Sequence, residues 1–246
     1  MTNRRRLSHL SRLHRTAARG EAIVGGRAGN LAAAERASGA DLIVLPGTCR
    51  EQQAVLRLAG EIVQALAEVP VLAGIGAVGP DRMDRYLDVL LGVGVAGVYC
   101  LADDEPAEPS PRAFAEKVGT IAMARGKGLL ASSCAFSEVD AVALAIAGAD
   151  IIVCDLGRPT STPGGKGVAL GLSQCLDLVG RCADAALAIN PDTVLLVRGG
   201  PVEEPRDAAY IMDRVPRCHG VYDVGDAAGS RSLEHRIRMF KSAHLR

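Results

Sequence analysis

The sequence predicts an α/β chain folded as a (β/α)8 TIM barrel with an extra N-terminal helix. Three observations carry this. Eight short apolar runs alternate with eight amphipathic stretches of about ten residues or more. The runs are continuously apolar, as expected of strands covered on both faces. The eight units fill residues 21–245 at about 28 residues each, the size of one βα repeat, and a right-handed repeat that closes after eight is a barrel. A doubly wound sheet would leave two units unused. It would also want a glycine fingerprint after the first strand, which Gly25-Gly26-Arg27-Ala28-Gly29 only weakly imitates.

The elements follow in order. A helix over Arg5–Ala18 places Leu7, Leu10 and Leu13 on one face. Residues 1–19 form this leading helix, and residues 20–246 form the barrel domain. The expected strands are Ala22–Gly25, Leu42–Leu45, Val71–Ile75, Gly97–Tyr99, Gly128–Ala131, Ile151–Cys154, Val194–Val197 and Val221–Asp223. The helices after them are Asn30–Ser38, capped by Gly39, then Glu51–Ala67, ended before Pro70, and Asp81–Leu91, with Asp81 as N-cap. Pro111–Arg125 starts on proline and ends at Gly126, and Ser137–Ala147 has Ser137 as N-cap. Ser173–Ile189, Glu204–Val215 and Ser232–Ala243 complete the set. Small-residue turns precede four strands, at residues 38–41, 94–97, 125–128 and 147–150. They fall on the N-terminal face of a barrel, so they are assigned to stability and given no catalytic role.

Composition narrows the function. The 246 residues hold 28 basic and 28 acidic side chains, and 48% are hydrophobic. The zero net charge hides a split. Residues 1–19 carry six Arg and no acid, residues 229–246 carry five basic residues and one acid, and the body between has a net charge of −10. An acidic body with seven aromatic residues and no Trp is a poor nucleic-acid surface. No apolar run reaches 18 residues, and the Arg-rich start lacks an apolar stretch. Neither a membrane span nor a secretory signal is expected, and the cytoplasm is the expected location. Seven Cys at wide spacing, with no CxxC pair, suggest reduced thiols and no zinc site.

Barrel chemistry sits at the C-terminal strand ends. Reading those ends gives Arg27 after strand one, Thr48 after two, Gly76 after three, Tyr99 at four, Ser133 at five, Asp155 at six, Arg198, Gly199 and Gly200 at seven, and Asp223 at eight. Asp155 and Arg198 are the most informative, because a charge at an inner strand end must be paired or met by a ligand. They fall on neighbouring strands and could simply bridge one another. Alternatively, Arg198 holds a carboxylate or phosphate and Asp155 serves as base. The expected catalytic residues are Asp155, Arg198 and Ser133. Arg27, Thr48, Gly76, Tyr99, Gly199, Gly200 and Asp223 are the expected substrate contacts, joined by Gly165 and Lys166 from the loop Arg158–Gly167, whose glycines could expose N–H groups to an anion. Cys49, Cys134 and Cys154 are read as core residues. No His stands at a strand end, which disfavours Cys–His and Ser–His–Asp hydrolysis. No metal or cofactor is expected.

The strings GADLIVLPGT, PVLAGIGAVGPDRMDRYLDVL, GVAGVYC, KGLLASSCAFSEVDAVALAIAGADIIVCDLG and INPDTVLLVRGGPVEEPRDAAYIMDRVPRCHGVYD together resemble the phosphoenolpyruvate hydrolase-like family, also called TIM-barrel signal-transduction proteins. The same domain resembles the C-terminal part of the Tm-1 / UPF0261 proteins. The resemblance implies a barrel enzyme acting on a small anionic substrate, by hydrolysis or by C–C or C–O cleavage. The departures gather at the strand ends. The family pattern has His in strand six where Asp155 stands, and His before the Gly-Gly-Pro of strand seven where Arg198 stands. The turn at Gly47-Thr48-Cys49-Arg50 and the loops after strands four and eight also depart from it. These changes motivate the rival reading, a catalytically degenerate barrel serving as a ligand-binding, regulatory or oligomeric partner. A small anionic ligand and a homo-oligomer are the expected partners.

Overall fold

A computed structural model of the chain describes residues 2–47, 52–76, 80–100, 110–157, 171–225 and 232–242. Eight parallel strands close into a barrel in sequence order: β1 Ile23–Arg27, β2 Leu42–Leu45, β3 Val71–Gly74, β4 Gly97–Tyr99, β5 Leu130–Ala135, β6 Ile151–Asp155, β7 Val194–Arg198 and β8 Gly220–Val224. The helix α1, Thr2–Ala18, precedes them. Around the barrel run α2 Leu31–Arg36, α3 Gln52–Ala65, α4 Pro80–Val93, α5 Pro111–Gly126, α6 Glu138–Ile146, α7 Leu172–Ile189, α8 Pro205–Arg214 and α9 Leu233–Lys241.

Strand alternation divides the core in two. One set of side chains, including Val24, Ile43, Ala131 and Ile152, faces outward and packs beneath the helices. The other, including Ile23, Leu42, Leu72, Leu130, Ile151 and Leu196, fills the barrel interior. Leu10 and Leu13 of α1 belong to this interior set, so α1 closes the bottom of the barrel. Its buried stripe is Arg6, Leu10, Leu13 and Thr16, the i, i+4, i+7, i+10 spacing of a helix face. Leu7, expected on that face, lies beside the stripe and is half exposed.

The basic leading helix is tied to the acidic body. The Arg6 guanidinium meets the buried carboxylate of Asp150. Arg12 donates to the carbonyls of Asp41 at 2.6 Å and Glu68 at 2.7 Å. From the other end of the chain, Lys241 reaches the Asp41 carboxylate at 3.0 Å. Part of the charge split is therefore a docking device rather than a solvated surface.

Three strand entries share one arrangement. The backbone N–H of Asp41 donates to Val24 O at 2.8 Å, and its carboxylate accepts from Val24 N–H at 2.9 Å. Asp150 treats Ala131 in the same way, at 2.8 and 3.0 Å. His219 repeats it on Leu195, at 2.7 and 3.0 Å, with Nδ1 as the acceptor. In each case the residue before one strand clamps both backbone groups of the second residue of the preceding strand. The two "GAD" turns thus serve stability, as their position on the bottom face implies.

Two expectations need correction. Strand five starts at Leu130 and runs to Ala135, because Gly128 adopts φ +80° and extends the turn after α5. Asp81 is not the N-cap of α4: the helix begins at Pro80, and Asp81 lies within its first turn, where its charge favours the helix dipole. Ser137 does cap α6, accepting from Asp140 N–H at 3.2 Å.

Candidate functional site at the barrel mouth

Strands β6 and β7 are in direct register at their C-terminal ends, with Asp155 opposite Arg198. Both side chains point inward, two residues beyond Val153 and Leu196 of the interior set. Arg198 Nε donates to Asp155 Oδ2 at 2.9 Å. The Asp155 carboxylate is buried, whereas about a quarter of the Arg198 side chain, 24%, is exposed at the mouth.

Two further strands complete a ring. Arg198 Nη1 donates to the Tyr99 hydroxyl at 2.8 Å. That hydroxyl lies 2.9 Å from Cys134 Sγ, and the Cys134 thiol donates to Asp155 Oδ2 at 3.6 Å. With the thiol proton directed at Asp155, the Tyr99 O–H donates to the sulfur, so the thiol and the phenol each have an acceptor. Asp155 Oδ1 also accepts from Gly157 N–H at 2.9 Å. Burial pushes the Cys134 thiol up to about 12 and the Tyr99 phenol well above its usual range. Both are neutral at physiological pH, so Cys134 is a hydrogen-bond donor here and no ready nucleophile. Below the ring, Tyr99 packs against Tyr222 with ring centroids 4.8 Å apart.

The turn after β7 is pinned to the turn after β6. Gly200 N–H donates to Gly157 O at 2.8 Å. Gly199 and Gly200 take φ +71° and +56°, and a Cβ on either would lie 2.3 Å from Gly157 O or 2.5 Å from Leu156 O. Only glycine fits both the left-handed backbone and the close approach. This pair fixes the height of Arg198 relative to Asp155.

The expected site residues separate into groups. Asp155, Arg198 and Tyr99 come together. Gly199 and Gly200 support them. Arg27 ends β1 with its side chain half-buried against Gly225, one strand removed from Arg198. Gly76 is buried after β3. Ser133 is set apart: it faces the helix layer and donates to Cys100 O at 3.2 Å. With β5 beginning at Leu130, the inward positions are Leu130, Ser132 and Cys134, and the Ser132 hydroxyl is buried without a hydrogen-bond partner. Cys134, read from sequence as core, is the ring member that was missed. Correct strand bounds would have aimed it inward. Thr48, Gly165 and Lys166 lie outside the described residues, as does the Asp223 side chain. Among the described residues, no group of three or more His, Cys, Asp or Glu converges to hold a metal ion, and no helix is long and apolar enough to cross a membrane.

An eight-stranded parallel barrel with an inward Asp–Arg pair at its C-terminal mouth is an α/β-barrel protein of the enzyme-bearing architecture. The phosphoenolpyruvate hydrolase-like family model matches residues 49–234, and the chain belongs to that family. Two proteins of Solanum lycopersicum, "ToMV susceptible protein tm-1(GCR26)" and "ToMV resistance protein Tm-1(GCR237)", are each 36% identical to it over 95% of this chain and 34% of their own length. The chain thus spans about a third of the length of these curated relatives. Among solved structures, tryptophan synthase subunit alpha from Legionella pneumophila str. Paris is similar with a TM-score of 0.62 at 14% identity, covering 96% of this chain and 97% of that one. Thiamine phosphate pyrophosphorylase from Pyrococcus furiosus gives 0.57 at 14% identity, covering 89% and 93%. At these identities the likeness is one of fold.

Proposed function

We propose that the protein is an enzyme acting on a small carboxylate or phosphoryl anion at the mouth of β6–β8, by hydrolysis or by C–C or C–O cleavage. The observation that carries this is Arg198, a partly exposed guanidinium at an inner strand end, held by a buried carboxylate and a buried phenol. Arg198 holds the anion. An arriving anion competes with Asp155 for the guanidinium. Asp155, released from that contact, accepts a proton from water or substrate while Arg198 offsets the developing negative charge. Family membership supports the substrate class. With it we propose a cytoplasmic homo-oligomer.

Phosphoenolpyruvate is the first substrate to test, with pyruvate and inorganic phosphate as the measured products. Saturable binding by calorimetry is expected for the wild type and is lost in Arg198→Met. Asp155→Asn is expected to bind and not turn over. Absence of both binding and turnover at millimolar phosphoenolpyruvate, phosphate and pyruvate would sink the proposal.

A second reading has its own observation. The ring of Asp155, Arg198, Tyr99 and Cys134 closes on itself, as a purely structural network would. A regulatory or ligand-binding barrel then binds the anion without turnover, and the same two measurements separate the readings.

A further inference from the structure

Helix α6 is apolar on two sides. Ala141, Leu144 and Ala145 are buried against the barrel. On the opposite side Val139 is 75% exposed and Ile146 is 71% exposed. They stand at i and i+7, with Val142 and Ala143 between them, so they form one stripe along the helix. Its two acidic side chains, Glu138 and Asp140, are both in the first turn. Near the same end, Ile189 closes α7 and is 42% exposed, and its neighbour Asn190 donates to Ala149 O, in the turn after α6, at 3.4 Å. Half of the six exposed large hydrophobics of the described surface therefore lie on α6 and the adjoining end of α7. Branched side chains are poor choices for a solvated helix position on both propensity and hydration grounds.

We propose that this face is where two copies of the chain meet, packed α6 against α6 about a two-fold axis. The charges at the ends of the stripe argue for a second copy. Glu138, beside Arg181 at 3.9 Å, marks the N-terminal end. Arg125, which pairs with Asp150 at 2.9 Å and donates to Gly148 O at 3.4 Å while 39% of its side chain stays exposed, marks the C-terminal end. A two-fold axis across the middle of α6 runs the helices antiparallel. It sets Val139 of each copy on Ile146 of the other, and Glu138 beside Arg125 of the other. An isologous contact requires such self-complementarity. One helix pair with the edge of α7 makes a small interface, at or below the roughly 1,200 Å² at which stable complexes begin. The dimer is therefore concentration-dependent. The surface rests on the proposed self-association and is separate from the anion site.

Sedimentation velocity over a range from 1 to 100 µM, chosen as roughly the span of weak association, tests it. The wild type is expected to shift from monomer to dimer. Val139→Glu and Ile146→Glu, both at exposed positions, are expected to weaken the dimer at least tenfold with unchanged circular dichroism and melting temperature. Mixing Val139→Cys with Ile146→Cys under mild oxidation is expected to give a disulfide-linked heterodimer in excess of either homodimer. A wild type that stays monomeric throughout overturns both the surface and self-association. A dimer insensitive to both Glu variants overturns this surface alone.

Discussion

Asp155 and Arg198 are worth more together than apart. Removing the cation leaves a buried carboxylate that still accepts from Gly157 N–H and the Cys134 thiol but has lost its counter-charge. Breaking a buried pair from one side costs about 3–5 kcal/mol, and the partial exposure of Arg198 puts this site at the low end. Arg198→Met is therefore expected to lower the unfolding free energy by about 3 kcal/mol. The double variant Asp155→Asn/Arg198→Met is expected to recover much of that loss. Urea denaturation of the four proteins checks both. The pair itself was legible in the sequence, since strand bounds on β6 and β7 differ from expectation by a single residue. Cys134 was not, because the expected strand stopped at Ala131, four residues short of the true end of β5 at Ala135, and so left Cys134 beyond the strand with no facing assigned.

His219 offers a second test at the same scale. Burial, followed by the charge of His14, lowers its pKa from the usual 6.5 to about 4. Between those values the unfolded chain binds the proton that the folded chain refuses. Stability therefore falls as pH drops through 6.5 and levels off below about 4. The full effect is on the order of 3 kcal/mol. His9, also lowered to about 4 by burial and by Arg12 and Arg5, acts in the same direction. In His219→Asn the amide oxygen can accept from Leu195 N–H without titrating. Its loss of stability between pH 7 and pH 5 is expected to be smaller than in the wild type, with the His9 share remaining. Equal slopes in the two proteins would refute the assignment.

Among the elements, the turn after β7 is the most sharply specified. Gly200→Ala must place a Cβ 2.5 Å from Leu156 O while holding φ near +56°. The left-handed conformation alone costs about 1–2 kcal/mol, and relief of the clash requires the β6 and β7 turns to part. A destabilisation above about 2 kcal/mol is expected. Weaker binding at Arg198 should accompany it, because the guanidinium would lose its height above Asp155. The Gly-Gly pair was visible in the sequence as a strand-end feature. The contact that demands it, a carbonyl from the neighbouring strand's turn, has no local sequence signal. Helix α1 teaches the converse. Its position under the barrel was not fixed by the Leu7, Leu10, Leu13 triplet, because the buried stripe includes Arg6, and a buried arginine reads as a surface residue until its partner Asp150 is known.

For the whole molecule, the eightfold rhythm was legible because each unit repeats one physical pattern, an apolar strand followed by a half-apolar helix. The charge split was legible as arithmetic but not as anatomy. Arg12 and Lys241, far apart in sequence, meet on Asp41, so the two basic ends brace one corner of the barrel floor. Chemistry at the mouth and docking at the floor lie on opposite faces, which lets the mouth vary while the brace stays.

The three clamps, at Asp41, Asp150 and His219, join β1 to β2, β5 to β6 and β7 to β8. Among the described residues the stretch from β2 through β5 has no such side-chain staple, and it contains β4, only three residues long. The barrel therefore has a seam. Under mild denaturant it should open there first, while the stapled pairs persist as closed units. Hydrogen exchange would record this as amides of Val24, Ala131 and Leu195 outlasting those of Leu72 and Val98.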